Sequence, residues 1–155
     1  MHKVIGSKTF SRILLAIDKL KTSTANKAID YAVHIAQDYD ARLIILHVIR
    51  ADIKLYGINP PRYIIEMSKQ AQADLMKIIE KISEDSAKNG YSLKIKTDII
   101  ASIRVADAII GYAKDKHIDL IILQTRDTSK LKSVFVGNVA TDVIRYAHCP
   151  VLTIK

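Results

Sequence analysis

Residues 118–144, IDLIILQTRDTSKLKSVFVGNVATDVI, join a run typical of a buried strand to a run typical of a short helix. Gly137 and Asn138 lie at the predicted helix start, where free backbone N–H groups and the helix dipole favour a bound anion. Arg126 and two lysines add positive charge to the same loop, whereas Asp127 adds a negative charge. The chemistry predicted for this segment is therefore the binding of an anion.

The other reactive residue types do not form a catalytic or metal-binding pattern. No two of the five histidines have a metal-ligand spacing such as His-x3-His on a helix, so we expect no metal site. Cys149 adjoins His148, but neighbours in sequence seldom face each other at the start of a strand, which favours a packing role. The serines lack the context of a nucleophile elbow. We therefore expect a protein that is not an enzyme.

The composition is that of a globular protein, with 49% hydrophobic and 26% charged residues. No apolar run approaches the ~20 residues that span a bilayer. The polar start of the chain, MHKVIGSKTFSR, does not resemble a signal peptide. A single cysteine excludes an internal disulfide framework and fits a reducing compartment. We expect a cytoplasmic protein with no membrane partner.

The formal net charge of +8 raises the question of nucleic-acid binding. Lys and Arg alternate with Asp and Glu along the whole chain, without a basic block, an aromatic–basic RNA-binding motif or a metal-finger spacing. This pattern favours a solvated, lysine-rich surface, and we do not expect nucleic acid as a partner. The charge still favours anionic ligands or partners in general.

Strand-like and helix-like runs alternate along the chain and would position these residues. Short apolar runs predict buried strands, and one run alternates apolar with polar residues as an edge strand does. Apolar residues at steps of three and four predict helices, the first capped by Ser23 or Thr24 and the second ended by Asn89-Gly90. The predicted strands are 12–17, 41–49, 91–100, 118–123 and 150–154, and the helices are 22–40, 62–88, 105–117 and 139–147.

This alternation predicts an α/β fold, a doubly wound five-stranded parallel sheet of Rossmann-like type with helices on both faces and strand order 3-2-1-4-5. Such sheets bind ligands outside the carboxyl ends of their strands, where the strand order reverses. The first and fourth strands meet there. The predicted cleft therefore contains Ile17 and Asp18 from the first strand and Gln124, Arg126 and Asp127 after the fourth.

These runs carry a resemblance to a known family. ILLAID, followed by a helix and LIILHVI, resembles the first half of a universal stress protein. ADAIIGYAKDKHIDLIIL and GNVATDVIRYAHCPVLTI resemble its second half, and HCPVLTI is the most specific piece. The similarity covers roughly residues 10–155. It implies a Rossmann-like nucleotide-binding fold, a single domain at 11–155 after an N-terminal extension of residues 1–10, and a role in stress response or signalling.

The ATP-binding branch of this family carries Gly-x2-Gly-x9-Gly-Ser/Thr after the fourth strand. Here the spacing is intact, but the four positions hold Gln124, Asp127, Gly137 and Asn138. Gln124 adds a side chain where the backbone would approach the ligand. Asp127 adds a negative charge, which repels a second negative charge ~4 Å away by roughly 1 kcal/mol in water and ~4 kcal/mol near a protein surface. The resemblance therefore implies a cleft in which ATP binding is weak or lost.

The resemblance also implies that part of the pocket is retained. Asp18 matches the acidic residue near the ribose, and Val48 matches an apolar contact with the base. Lys19 and Lys21 after the first strand add positive charge. The cofactor implied is an adenine nucleotide, AMP or ATP, with Mg²⁺ only if ATP binds. The alternative function is an ATP- or AMP-binding protein that acts as a nucleotide-dependent switch.

The last strand, PVLTIK, predicts the mode of assembly. It lies at one edge of the predicted sheet, and exposed edges are usually covered or paired. The resemblance to universal stress proteins implies a dimer, since dimers of that family often join these strands antiparallel across a two-fold axis, which makes the interface isologous. We expect a homodimer centred on Val151 and Thr153, with side chains from 134–136 adding apolar area. Protein partners would then transmit the stress or signalling response.

Overall fold

The computed structural model describes residues 9–51, 61–125 and 138–155, apart from the side chain of Asn138. Strands and helices alternate along these ranges. In chain order they are β1 (Arg12–Ile17), α1 (Ser23–Tyr39), β2 (Arg42–Arg50), α2 (Arg62–Lys88), β3 (Lys94–Ser102), α3 (Val105–Asp115), β4 (Leu120–Gln124), α4 (Asn138–Tyr146) and β5 (Val151–Ile154).

The five strands form one parallel sheet in the order β3-β2-β1-β4-β5, which confirms the predicted fold class and strand order. β1 lies between β2 and β4, with Leu15 aligned to Ile45 on one side and to Ile122 on the other. The apolar residues of these three strands are buried on both faces of the sheet, as continuous apolar runs predict. The strand order reverses between β1 and β4.

Two apolar clusters cover the two faces of the sheet. Successive side chains of a strand point to opposite faces, so Leu15 joins the cluster with α1 and α2 while Leu14 joins the cluster with α3 and α4. The fully buried positions of α1 are mainly alanines, including Ala28 and Ala32, which let the helix approach the strands closely. In the described part of the chain both faces are therefore covered by helices, and the sheet is accessible to a ligand at the ends of the strands.

The N-cap of α1 is Thr22, so the prediction of Ser23 or Thr24 was wrong. Thr22 has an extended backbone (φ −133°, ψ 157°), and its Oγ1 accepts a hydrogen bond from the Ala25 amide at 3.1 Å. The cap must be the last non-helical residue whose side chain reaches the first turn, and three neighbouring hydroxyl residues all satisfy the sequence pattern. The path of the chain out of β1 decides among them.

β3 forms one edge of the sheet and has an exposed face, as its alternating pattern predicts. It begins at Lys94, later than predicted, because the preceding residues complete the end of α2. The Tyr91 amide donates to the Ser86 carbonyl at 2.9 Å, and Gly90 takes the left-handed conformation (φ 77°) that this turn requires. Among the described residues, no helix is both long and apolar enough to span a membrane.

Replacement of Leu15 by alanine tests the dependence of the fold on its central strand. Leu15 is fully buried in β1, and Leu15→Ala should lower the free energy of unfolding by about 2–5 kcal/mol through lost burial and a residual cavity. Urea denaturation followed by circular dichroism measures this value. The matched control is Met76→Ala, because Met76 is 56% exposed on α2 and its loss should cost less than about 0.5 kcal/mol. Equal losses of unfolding free energy in the two variants would contradict the assignment of β1 as the buried central strand.

Candidate functional site

A cavity of about 270 Å³ opens at the carboxyl ends of the strands, where the strand order reverses. It lies at the end of β1 and β4 and is closed on one side by the start of α3 and the start of α4. Parallel strands all end at the same edge of the sheet, so the topology alone assembles this cavity from segments far apart in sequence.

Four of the predicted site residues line this cavity together: Ile17, Asp18, Val48 and Gln124. Arg126, Asp127 and Gly137 lie outside the described residues, as does the side chain of Asn138. The backbone of α4 begins at Asn138, in agreement with the predicted helix start.

The apolar part of the cavity wall involves residues that the sequence analysis missed. Val48 of β2 faces Val105 and Ile109 of α3 and Val139 of α4 around the cavity. Val105 and Ile109 are four residues apart on one helix, so they share a face, but only the packing of α3 against the sheet directs that face to the cleft. This wall can accommodate a flat apolar group such as a nucleobase.

Arg50 and Thr125 also line the cavity and were missed. Both follow from the rule that the carboxyl ends of the strands surround the ligand, since Arg50 ends β2 and Thr125 follows β4. The exposed guanidinium of Arg50 and the exposed carboxylate of Asp18 place both signs of charge at the rim. The rim therefore offers both a donor for an anion and an acceptor for a hydroxyl.

The Gln124 side chain joins the end of β4 to the start of α1. Its Nε2 donates to Thr22 Oγ1 at 2.9 Å. The Thr22 hydroxyl donates its own proton to the Lys19 carbonyl at 3.4 Å, so Gln124 must present its NH₂ group to Thr22. Gln124 Oε1 is buried and has no hydrogen-bond partner in the described part of the chain. A glycine at this position would remove the bridge and leave its volume to a ligand.

Two further contacts hold the strand ends that carry the cleft. The Thr125 amide and Oγ1 donate to the Ile154 carbonyl at 2.9 and 2.8 Å, which ties the chain leaving β4 to β5. His47 Nδ1 lies 2.9 Å from the Ile17 carbonyl, next to Asp18. His47 is therefore engaged with the backbone of the neighbouring strand.

Lys21 is not a cation of the cleft, which corrects the prediction that it contributes positive charge there. Its Nζ lies 3.1 Å from Oδ1 of Asp74, a buried residue in the middle of α2 that also accepts from Gln70 at 3.1 Å. The hydrogen bond from Lys21 lowers the pKa of Asp74, although burial acts in the opposite direction. The pair therefore holds the β1–α1 loop against α2.

The reactive groups outside the cleft are engaged in packing. Burial raises the pKa of the half-buried Cys149 thiol, and the nearby Asp119 carboxylate adds to the rise, so the thiol stays protonated at neutral pH. The Asp119 carboxylate itself accepts hydrogen bonds from the amides of Ser11 and Arg12. No group of three His, Cys, Asp or Glu residues suited to a metal ion occurs in residues 9–51, 61–125 and 138–155.

Comparison with known proteins gives a consistent family match. The model of the universal stress protein family matches residues 9–155. The universal stress protein YxiE of Bacillus subtilis is 34% identical over 152 residues, which cover 94% of this chain and 99% of that protein.

Solved structures share the fold at lower identity. A universal stress protein from Archaeoglobus fulgidus in complex with dAMP superposes with a TM-score of 0.65 at 21% identity, covering 95% of this chain and 99% of that one. A universal stress protein in complex with cAMP superposes with a TM-score of 0.60 at 19% identity, covering 94% and 97%.

The Lys21–Asp74 pair makes stability depend on pH in a defined direction. The pKa of Asp74 is lowered from 3.8 in the folded protein, so its contribution is complete above 3.8 and is lost as the pH falls through the folded-state pKa. Asp74→Asn should therefore be less stable than the parent protein at neutral pH, and this difference should shrink in acid. Urea denaturation at a series of pH values measures the difference.

The control is Glu66→Gln, which removes the carboxylate of an exposed ion pair with Arg62 on the same helix. Exposed ion pairs contribute about 0–1 kcal/mol, so the stability of this variant should remain close to that of the parent protein at every pH. A destabilisation by Asp74→Asn that stays constant from neutral to acid pH would contradict the role assigned to the ionised carboxylate.

Proposed function

Because the chain belongs to the universal stress protein family, we propose that it is a dimeric stress-response or signalling module whose cleft favours an adenosine monophosphate over Mg-ATP. The observation that carries this proposal is the bridge from Gln124 to Thr22. It fills the end of β4 with a side chain where the ATP-binding branch of the family has a glycine.

The shape and lining of the cleft support a nucleoside with a short phosphate. The apolar wall of Val48, Val105 and Ile109 suits a base, and the Asp18 carboxylate suits a ribose hydroxyl. The start of α4 would then receive one phosphate on its backbone amides. The two similar folds reported with dAMP and cAMP each hold a nucleotide with a single phosphate, and this supports the same ligand class here.

A triphosphate would meet two unfavourable positions. At the motif positions of the ATP-binding branch, Gln124 adds a side chain in place of a glycine, and Asp127 adds a negative charge that would repel the negatively charged ligand. Each change costs ~1–3 kcal/mol, the range for an unmet polar contact. Together they would weaken a micromolar site by roughly 30- to 10,000-fold, since every ~1.4 kcal/mol is a factor of ten. A monophosphate carries less negative charge than a triphosphate, so a monophosphate bound at the helix start would lose less affinity.

The alternative is a nucleotide-dependent switch that binds ATP. The retained spacing between positions 124, 127, 137 and 138 favours it. In either case we propose that the protein acts by binding rather than catalysis. The single cysteine further supports a cytoplasmic location.

Calorimetric titration with AMP and with Mg-ATP tests the ligand preference. The parent protein should bind AMP more tightly than Mg-ATP, and the double variant Gln124→Gly, Asp127→Gly should gain ATP affinity by at least about tenfold. Asp127→Asn separates the charge from the backbone effect and should recover part of that gain. Asp85→Asn is the charge-matched control, because Asp85 lies at the other end of the molecule near the end of α2. Low-micromolar ATP binding by the parent protein would overturn the proposal in favour of the switch.

Assembly through β5 is the second part of the proposal. β5 pairs with β4 on one side only, and its other edge has no partner strand among the described residues. Val151 and Thr153 are half-buried on this edge strand, and α4, which packs beside it, exposes Ile144 and Tyr146. An antiparallel pair of β5 strands would satisfy the backbone groups and cover apolar area. The side chains of 134–136, expected to add to the interface, lie outside the described residues.

Thr153→Lys tests this interface. In an isologous pair of strands, a lysine near the two-fold axis meets its own copy, and like charges opposite each other destabilise the pairing. The parent protein should scatter light as twice the chain mass of 17.3 kDa, and the variant as a monomer. Tyr91→Lys is the control, because Tyr91 is 53% exposed next to the opposite edge strand and should leave the dimer intact. A monomeric parent protein at micromolar concentration would contradict the assembly.

A further inference from the structure

Three cations stand side by side at the amino ends of β1, β2 and β3. The register aligns Arg12 with Arg42 and Arg42 with Lys94. Together with Ser11 and Asp40 they line a second cavity of about 170 Å³. All the strands are parallel, so this cavity at their amino ends lies on the opposite side of the molecule from the nucleotide-type cleft at their carboxyl ends.

The three side chains project from the same face of the sheet. The residues two places further on, Leu14 and Ile44, pack in the cluster with α3 and α4, and side chains two apart share a face. Neighbouring strands are about 4.8 Å apart, so the Cα atoms of the three basic residues lie within about 10 Å of one another. Like charges directly opposite one another on adjacent strands destabilise the pairing.

The three cations outnumber the carboxylates around this cavity. Asp40 brings one carboxylate to the lining, and the Asp119 carboxylate accepts hydrogen bonds from the amides of Ser11 and Arg12. Nearby, Nη1 of Arg12 donates to the carbonyl oxygen of Lys116 at 3.0 Å, which holds the guanidinium in place.

We propose that this cavity is a second binding site, for a small phosphorylated anion of the size of inorganic diphosphate. Arginine presents a planar fork of donors that matches phosphoryl oxygens in pairs, and lysine adds a point charge. The compact, concave arrangement fits one or two phosphoryl groups better than a nucleic-acid strand, whose phosphates require an extended basic track. The site is separate from the cleft and does not depend on the function proposed for it.

Calorimetric titration of the whole protein with inorganic diphosphate at low ionic strength tests the site. Arg42 is the central cation, and Arg42→Gln should weaken binding by about tenfold or more, which corresponds to ~1.4 kcal/mol. Lys81→Gln removes the same charge from the exposed face of α2 and should leave the affinity nearly unchanged. AMP affinity should be the same in Arg42→Gln as in the parent protein, which separates this site from the cleft.

Thermal unfolding provides a second readout that does not rely on calorimetry. Diphosphate should raise the midpoint of the parent protein and of Lys81→Gln, because a ligand that binds only the folded state stabilises it, and should raise that of Arg42→Gln much less. Without the anion, Arg42→Gln should unfold at the same temperature as the parent or above it, since a charge repulsion is removed.

Three outcomes would overturn the proposal. Absence of saturable diphosphate binding to the parent protein would exclude the site. Equal weakening by Arg42→Gln and Lys81→Gln would show a response to overall charge alone. An oligonucleotide that binds through Arg42 more tightly than diphosphate would assign the surface to nucleic acid instead.

Discussion

The structure depends on the burial of β1 and β4 side by side in the centre of a parallel sheet. Their apolar residues, such as Leu15 and Ile122, are covered on both faces, so each strand needs a helix layer above and below it. Parallel strands also require a crossover between them, and a helix supplies both the crossover and the cover. The alternation of elements and the two clusters both follow from this requirement.

The same requirement explains why the molecule has a candidate site at each end of its strands. Helices cover both faces of the sheet, so polar groups collect where strands begin and end. At the carboxyl ends the strand order reverses and the helices diverge, which opens the cleft beside Asp18 and Gln124. At the amino ends, the register between neighbouring strands aligns Arg12, Arg42 and Lys94. Each end gathers residues that are far apart along the chain.

A small number of side-chain contacts then set the properties of the cleft. The Gln124–Thr22 hydrogen bond and the Lys21–Asp74 pair both hold the α1 end of the β1–α1 loop, one to β4 and the other to α2. Both contacts use polar groups that the sequence analysis connected with ligand binding. The loop beside the cleft is therefore held by contacts within the protein itself, which engage the Thr22 hydroxyl and the Lys21 ammonium group.

The sequence by itself determined the fold class and the edge position of β3, because the period of the apolar residues distinguishes strands from helices and buried strands from edges. The strand order and the edge position of β5 followed from the usual order of strands in doubly wound sheets. The sequence also identified Ile17, Asp18 and Gln124 as neighbours, since topology brings strand ends together, and the family resemblance added Val48. Only the tertiary structure decided which polar groups pair with each other.

The N-cap of α1, the partner of Lys21 and the alignment of three cations depend on distances of a few ångströms between separate elements. Sequence periodicity carries no information at that scale. It records which face of an element is buried, whereas the choice among nearby polar partners depends on how the packed helices and strands are placed relative to one another.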